Sequence, residues 1–146
     1  MPIEFTIFPD RSLALFRMFG VIDVSQGFTS FRDYVQHRDF SPDFIMLSDT
    51  RRVLGVDASF LGIVASVQRA HGLLQRYQDT GGLSVIHAPN DVTFGVARIM
   101  QQVTEPVSNL RFEILRDESE ALAASGQPET GFDALDSALA PRQNVG

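Results

Sequence analysis

The feature of this sequence that most constrains its fold is an alternation of short β-type runs with amphipathic helical runs. The clearest example is residues 44–62, FIMLSDTRRVLGVDASFLG. Phe44–Leu47 is typical of a buried strand. A polar loop carrying Asp49, Arg51 and Arg52 is predicted to follow, and then the start of a long helix. Strands that alternate with helices favour an α/β domain with helices packed on a sheet.

The other segments extend this alternation over most of the chain. Glu4–Phe8 and Leu13–Val21 are rich in β-formers and flank a turn, which predicts an antiparallel hairpin. Asp23 and Gln26 have the spacing of a capping box, and they open a first helix that ends near His37. The later elements are a helix from Asp57 to about Leu74, a strand at Leu83–His87, a helix after Asn90 or Asp91, a strand at Leu110–Leu115 and a short helix at Asp117–Ala124. The order β-β-α-β-α-β-α-β-α predicts a mixed five-stranded sheet with its later strands parallel.

The helix after Asp57 has the most regular apolar periodicity in the chain. Its predicted core-facing stripe is Phe60, Val64, Val67, His71 and Leu74. Asp57 is the predicted N-cap, which places Ser59 at the second helical position, among free backbone N–H groups. The place of His71 on the stripe predicts a partly buried histidine rather than a metal ligand.

Residues 127–146 are predicted to form an acidic C-terminal extension beyond a domain of residues 1–126. The last thirty residues carry a net charge of −5, out of −6 for the whole chain, from Asp117, Glu118, Glu120, Glu129, Asp133, Asp136 and Arg142. Phe132, Leu135 and Leu139 lie at helical spacing and predict a short helix. This helix would dock on the domain or on a partner subunit, giving a homo-oligomer, and a disordered end is the alternative.

Composition excludes several classes of function. An acidic chain without a basic stripe is a poor candidate for binding nucleic acid. The chain has no cysteine, which excludes disulfides and sulfur-ligated metals, and its three histidines have no metal-ligand spacing. We therefore expect no metal and no cofactor. The N-terminus lacks the features of a signal peptide, and no apolar run approaches the ~20 residues that span a bilayer, so we expect a cytoplasmic protein.

The run DASFLG resembles the D-S-S-G-L-G helix start of STAS domains, the fold of anti-sigma-factor antagonists. The matching residues are Asp57, Ser59, Leu61 and Gly62, and the differing ones are Ala58 and Phe60. The order of elements over residues 4–126 is also similar. The sequence looks closest to bacterial STAS-like proteins grouped near the CRAL-TRIO lipid-binding domains, which share a segment like PNDVTFGVARIM. The resemblance implies a STAS-like fold, with Ser59 at the position that is phosphorylated in the antagonists.

These observations favour a non-enzymatic regulatory module that binds a protein partner around the start of the second helix. The candidate residues are Ser59, Asp57, Asp49, Arg51 and Arg52, with His87 as an accessory residue. A phosphate on Ser59 would lie at the positive end of the helix dipole. Arg51 or Arg52 would add charge-assisted hydrogen bonds to it.

Two other functions are alternatives. The twelve phenylalanines favour a packed apolar core. The same side chains would also suit a pocket for a small apolar, lipid-like ligand, as in the lipid-binding relatives. A serine hydrolase is less favoured. Asp49, Ser59 and His87 are the residue types of a catalytic triad and are predicted at one edge of the sheet, but no G-x-S-x-G motif accompanies them.

Overall fold

The computed structural model describes residues 2–140, in which five strands form a single mixed sheet. The strands are β1 (Ile3–Phe8), β2 (Leu13–Asp23), β3 (Ile45–Asp57), β4 (Gly82–His87) and β5 (Leu110–Leu115). The helices are α1 (Val24–Val35), α2 (Phe60–Arg69), α3 (His71–Leu74), α4 (Asp91–Thr104), α5 (Glu118–Ala124) and α6 (Phe132–Leu139). β1 and β2 form an antiparallel hairpin, and β2 to β5 are parallel in chain order. The predicted α/β class with a mixed five-stranded sheet is confirmed.

The two faces of the sheet carry different helices and form two separate apolar cores. One face, with Ala14, Phe16 and Met46, packs against α1, α2 and α4, and we name it the α1/α2/α4 face. The other, with Leu15 and Leu47, packs against α5 and α6, and we name it the α5/α6 face. Successive residues of a strand point to opposite faces, so the neighbours Met46 and Leu47 belong to different cores.

β3 is thirteen residues long and contains the segment that was predicted to be a polar loop. It stays extended because β2 is also long and pairs with it as far as Asp23 opposite Asp57. The loop prediction is therefore wrong. β4 accompanies β3 only to His87, opposite Asp49. Beyond that point β2 and β3 continue as a two-stranded ribbon.

The helices begin at polar residues that cap their first turn. Asp23 forms the predicted capping box at α1, and the side chains of Asn90 and Asp117 accept backbone N–H groups at α4 and α5. The start of α2 differs from the prediction, because Asp57 is the last residue of β3 and Ser59 is the N-cap. The helix therefore begins later than its sequence indicated.

The buried stripe of α2 and α3 is also displaced from the predicted one. Its members are Ile63, Val67, Ala70 and Leu74. Phe60, the first residue of the predicted stripe, is 59% exposed, and His71 is exposed as well. The shift arises because the helix starts later than predicted and breaks at Ala70, so that the face through Ile63 turns towards the sheet.

Helix α6 lies on the α5/α6 face, where Phe132 and Leu135 are completely buried. The segment that leads to it is held by Arg11, whose guanidinium donates to Glu129 at 2.8 Å and to Gln127 at 3.1 Å. The apolar side chains of α6 are therefore used within the chain, and an oligomer formed through them would require α6 to leave this position. The domain division at residue 126 and the homo-oligomer stay predictions.

Candidate functional site

Ser59 is the N-cap of α2, at the far end of the ribbon formed by β2 and β3. Its hydroxyl oxygen accepts a hydrogen bond from the Gly62 N–H at 3.0 Å, and the residue is exposed. A Cβ at Gly62 would lie 3.0 Å from that oxygen, so the cap depends on a small residue at position 62. The prediction of a second helical position is wrong, although the hydroxyl does lie beside the free N–H groups of the first turn.

Ser59→Ala is expected to lower the free energy of unfolding by about 1 kcal/mol, because it removes the cap hydrogen bond. Ser59→Asp keeps an acceptor oxygen at the N-cap, and we expect its unfolding free energy to match wild type within about 0.5 kcal/mol. Urea unfolding followed by far-UV circular dichroism compares the three proteins. Equal midpoints for Ser59→Ala and wild type would show that the hydroxyl does not act as a cap.

Asp49 and Arg51 lie on β3 and belong to a charged cluster beneath α6. The Arg51 guanidinium donates to Asp49 at 2.9 Å, to Asp133 at 3.1 Å and to Asp136 at 3.1 Å. These carboxylates raise the pKa of Arg51 further above its ordinary value, mainly through the hydrogen bonds that Asp49 accepts from the guanidinium. The cluster connects α6 to the sheet. Arg51 and Asp57 are six positions apart on the extended strand β3, a distance of about 20 Å.

Arg52 is also engaged away from Ser59, because its guanidinium lies over the Phe19 ring at 5.7 Å from the ring centroid. The predicted grouping of Asp49, Arg51 and Arg52 beside Ser59 is therefore wrong. The physical reason is the length of β3, which carries the polar segment away from the start of α2.

His87 ends β4 and is buried beneath α6, where its ring centroid lies 5.2 Å from that of Phe132. Its Nε2 lies 3.2 Å from the carbonyl oxygen of Arg116 and acts as the donor, while Nδ1 has no partner among the described residues. Burial lowers the pKa of His87, so the ring is neutral at pH 7. Asp49 is its cross-strand neighbour, but Ser59 lies beyond the ribbon, so the three residues do not assemble into a triad.

The stability of the fold is expected to decrease as the pH falls below about 6.5, because His87 is buried in its neutral form. Its pKa is lower in the folded chain than in the unfolded chain, so acidification protonates the unfolded chain first. The loss levels off once the pH is below the folded pKa. Urea unfolding between about pH 7.5 and about pH 5.5 should show a smaller decrease for His87→Gln than for wild type.

The control variant for this experiment is His71→Gln, which changes an exposed histidine. Its stability should follow the wild-type pH dependence, because this variant keeps the buried His87. If His87→Gln and wild type lost equal stability on acidification, the buried neutral histidine would not be the cause.

A partly open apolar cavity of about 230 Å³ lies between the α1/α2/α4 face and its three helices. Four phenylalanines contribute to its walls, Phe16, Phe28, Phe31 and Phe112, together with isoleucine, valine and methionine side chains. Protein interiors normally leave few voids larger than a water molecule. The phenylalanine-rich core predicted from composition is present, but it is not completely filled at this place. Phe16 packs against Phe5 and Tyr34, with ring centroids 5.6 Å and 5.4 Å apart, and it also borders the space.

The floor of the cavity carries small hydroxyl side chains on the two central strands. Ser48 and Thr50 of β3 and Ser84 of β4 are buried and line the cavity. Met46 lies opposite Ser84 and Ile86 opposite Ser48, so serines alternate with apolar side chains across the strand pair. Central parallel strands are normally continuous apolar runs, because both faces are covered. The two serines leave space at this position and make the floor of the cavity polar. No sequence motif marks them.

Hydroxyl groups also reach the cavity from the helices. Ser30 of α1 and Thr104 of α4 line the cavity, and within residues 2–140 their hydroxyl oxygens are buried without a hydrogen-bond partner. Asp23 is the single charged side chain among the described lining residues. Its carboxylate is the N-cap of α1 and accepts the Gln26 N–H at 2.9 Å, which lowers its pKa together with the hydrogen bond from Ser25.

Five exposed apolar residues lie at the edge of the sheet where the parallel strands end, and we name them the apolar rim: Val21, Leu54, Phe60, Leu61 and Val92. They share this edge because the parallel strands β2, β3 and β4 all end there. Helices α2 and α4 begin at the same edge, since they follow β3 and β4 in the chain. Cavity residues near this edge, Val53, Val56 and Ala58, are half-buried. Those at the opposite edge, Leu74 and Leu110, are buried. None of the five rim residues lines the cavity, and Met100 of α4 is the exposed residue among its described lining, at 37%.

The structure also bears on metal binding and on membrane spans. In the part of the chain that the structure describes, no group of three histidine, aspartate or glutamate side chains is placed to hold a metal ion. None of the helices between residues 2 and 140 has both the length and the apolar character needed to cross a membrane.

Comparisons with known proteins bear on the fold. No protein-family model matches the sequence, and no curated protein matches it. Among solved structures, the chain is similar to an uncharacterized protein of the DUF3478 family from Shewanella loihica PV-4, described as having a SpoIIAA-like fold. The match covers 84% of this chain and 90% of that chain, with 13% identity and a TM-score of 0.49. Identity and structural similarity this low carry no information about the function of this chain.

Proposed function

We propose that this protein carries a small apolar molecule in the cavity between the α1/α2/α4 face and its helices. The observation that supports the proposal is the cavity itself, about 230 Å³ of partly open space lined mainly by apolar side chains. An empty cavity of this volume would cost roughly 5 kcal/mol of stability at about 24 cal/mol per Å³. The cavity is partly open, so water can reach it, and an apolar ligand would displace that water from an apolar lining.

The lining supports carriage of the ligand rather than chemistry on it. Asp23 is the one titratable side chain among the described lining residues, and its Oδ1 accepts hydrogen bonds from both Ser25 and Gln26, which hold the carboxylate at the N-cap of α1. A general base must be free to reach a proton on the ligand. The buried hydroxyls of Ser48 and Ser84 are suited to orienting a ligand by hydrogen bonds.

Native mass spectrometry of the protein purified from its source organism tests this proposal. We expect a fraction of the molecules to carry one small compound, which extraction into organic solvent removes. Adding the extract back to the stripped protein should raise its unfolding temperature, because a ligand that binds only the folded state stabilises it. A chain that carries no compound and takes up no apolar ligand saturably would contradict the proposal.

Contact with a protein partner is a second candidate function, which the apolar rim favours. Leu54 is 86% exposed and Phe60 is 59% exposed, at the helix start where the STAS resemblance implies regulatory contacts. Exposed apolar residues grouped in one place often mark an interaction surface. Phosphorylation of Ser59 stays a prediction, and the two arginines expected to hold its phosphate contact other groups.

A photo-crosslinking amino acid at position 60 tests the second candidate in cells of the source organism. We expect a defined crosslinked protein at this position, because the Phe60 side chain is exposed on the rim. The matched control carries the same amino acid at Gln102, an exposed position near the other end of α4. The same crosslinked species from both positions would show that the rim has no specific partner.

A further inference from the structure

The lining of the cavity restricts the class of ligand, an inference that rests on the proposed carrier function. We infer that the ligand is a compact uncharged molecule of about ten carbon atoms, with one neutral hydrogen-bonding group that pairs with Ser48 and Ser84. The size follows from the volume of about 230 Å³. An engineered cavity of about 150 Å³ accepts benzene, so this one has room for about two fused rings.

The absence of positive charge excludes an anionic head group inside the cavity. No arginine or histidine is found among the described residues that line it, and Asp23 is negative. A carboxylate or phosphate moved into such a space would lose its hydration without gaining a counterion, a cost that apolar contacts do not offset. The Asp23 carboxylate would also repel an anion. Burial would also remove the hydration of a cation, and the Asp23 carboxylate is already held at the N-cap of α1 by hydrogen bonds from Ser25 and Gln26, so we infer a neutral ligand.

The hydrogen-bonding group of the ligand is placed by the two serines of the floor. Ser84 lies opposite Met46, two residues before Ser48, so the Cα atoms of the serines are about 8 Å apart from strand spacing and rise. One hydroxyl or carbonyl oxygen of the ligand fits between their side chains. Thr50 is already a donor to the carbonyl oxygen of His87, which leaves the serines as the available donors of the floor.

Three probes with the same two fused rings separate the effect of the hydrogen-bonding group from the effect of charge. The probes are naphthalene, 2-naphthol and 2-naphthoate. Their Kd values are measured by calorimetric titration of the full chain after extraction of bound compounds. We expect 2-naphthol to bind about three- to tenfold more tightly than naphthalene, the usual value of one additional buried hydrogen bond. We expect 2-naphthoate to bind at least about tenfold more weakly than naphthalene, because its charge would be buried unpaired.

The double variant Ser48→Ala with Ser84→Ala assigns the hydrogen bond to the floor. It should bind naphthalene within about twofold of wild type and lose the preference for 2-naphthol. The control is Ser125→Ala, which removes a buried serine hydroxyl outside the cavity that donates to the carbonyl of Ala121. This control should keep the preference. Circular dichroism confirms that each variant is folded before titration.

The outcomes distinguish this inference from the function on which it rests. If none of the three probes binds, both are overturned. If naphthalene and 2-naphthol bind equally, or if the preference persists in the double variant, the hydrogen-bonding role of the serines is overturned and the carrier function stands. Binding of 2-naphthoate as tight as that of naphthalene overturns the neutral character of the ligand.

Discussion

Phe132→Ala is expected to lower the free energy of unfolding by about 3–5 kcal/mol, the largest effect that we predict for a single substitution. Phe132 is completely buried, and its ring lies 5.2 Å from the His87 ring and 4.8 Å below the Arg51 guanidinium carbon. The substitution leaves a void beneath α6 and removes the cation–π partner of Arg51. Urea unfolding followed by far-UV circular dichroism measures the loss.

The matched control is Asp133→Ala, at the next position of the same helix. The Asp133 side chain is fully exposed although its carboxylate is 3.1 Å from Arg51, and such ion pairs contribute little. Its unfolding free energy should stay within about 0.5 kcal/mol of wild type. A loss below about 1 kcal/mol for Phe132→Ala would contradict the placement of α6 on the sheet, because a docked ring is worth more.

Ser84→Leu is expected to abolish ligand binding and to make the protein more stable. The larger side chain would extend from the floor into the cavity and occupy the place of a ligand. Burying its additional carbon atoms in space that already exists should raise the free energy of unfolding by about 1–2 kcal/mol. Calorimetric titration with naphthalene should show binding at least about tenfold weaker than wild type, since the shared space is filled.

The same substitution at Ser125 is the control for this result. Ser125 is buried in the described chain, does not line the cavity, and its hydroxyl is bonded to Ala121. Leucine at that position overpacks its surroundings and should destabilise the fold by about 1–3 kcal/mol. Opposite signs at positions 84 and 125 would identify the cavity. If Ser84→Leu destabilised the protein as much as Ser125→Leu, the space above Ser84 would not exist.

Elements governed by local signals were predictable from the sequence. The hairpin of β1 and β2, the capping box at Asp23 and the strand Leu110–Leu115 all have the predicted place in the structure. In each case the residues that determine the element lie within a few positions of one another. Short-range sequence patterns contain that information.

The polar half of β3 was not predictable in the same way. Its residues alternate between two environments, with Thr50 on the cavity side and Arg51 beneath α6. A polar run of this kind is typical of a loop unless distant partners satisfy it. Those partners, Asp133 and Asp136, lie 82 and 85 residues further along the chain from Arg51. No local pattern reveals such pairs. The sequence therefore predicts a loop in place of this half of β3, and it predicts Asp49, Arg51 and Arg52 beside Ser59, where the structure does not place them.

The amino-acid composition does not predict the cavity either. A count of phenylalanines does not show whether their rings touch one another or surround a space, because that depends on how the helices sit on the sheet. The available signal was the presence of Ser48 and Ser84 in runs that otherwise have the apolar character of central strands. The exposed start of α2, with Ser59 as its cap, was placed correctly at a helix start but not at the correct helical position.

The carrier function is tested most directly by NMR spectra of side-chain methyl groups recorded while naphthalene is added to the protein. The two apolar cores provide the comparison within one molecule. Methyl groups that line the cavity belong to Ile22, Ile63, Val67 and Val96, and those of the opposite core belong to Leu15, Leu47, Val85 and Leu122. We predict saturable shifts that are confined to the first group. Spectra without saturable shifts, or with equal shifts in both cores, would contradict a ligand site between the sheet and α1, α2 and α4.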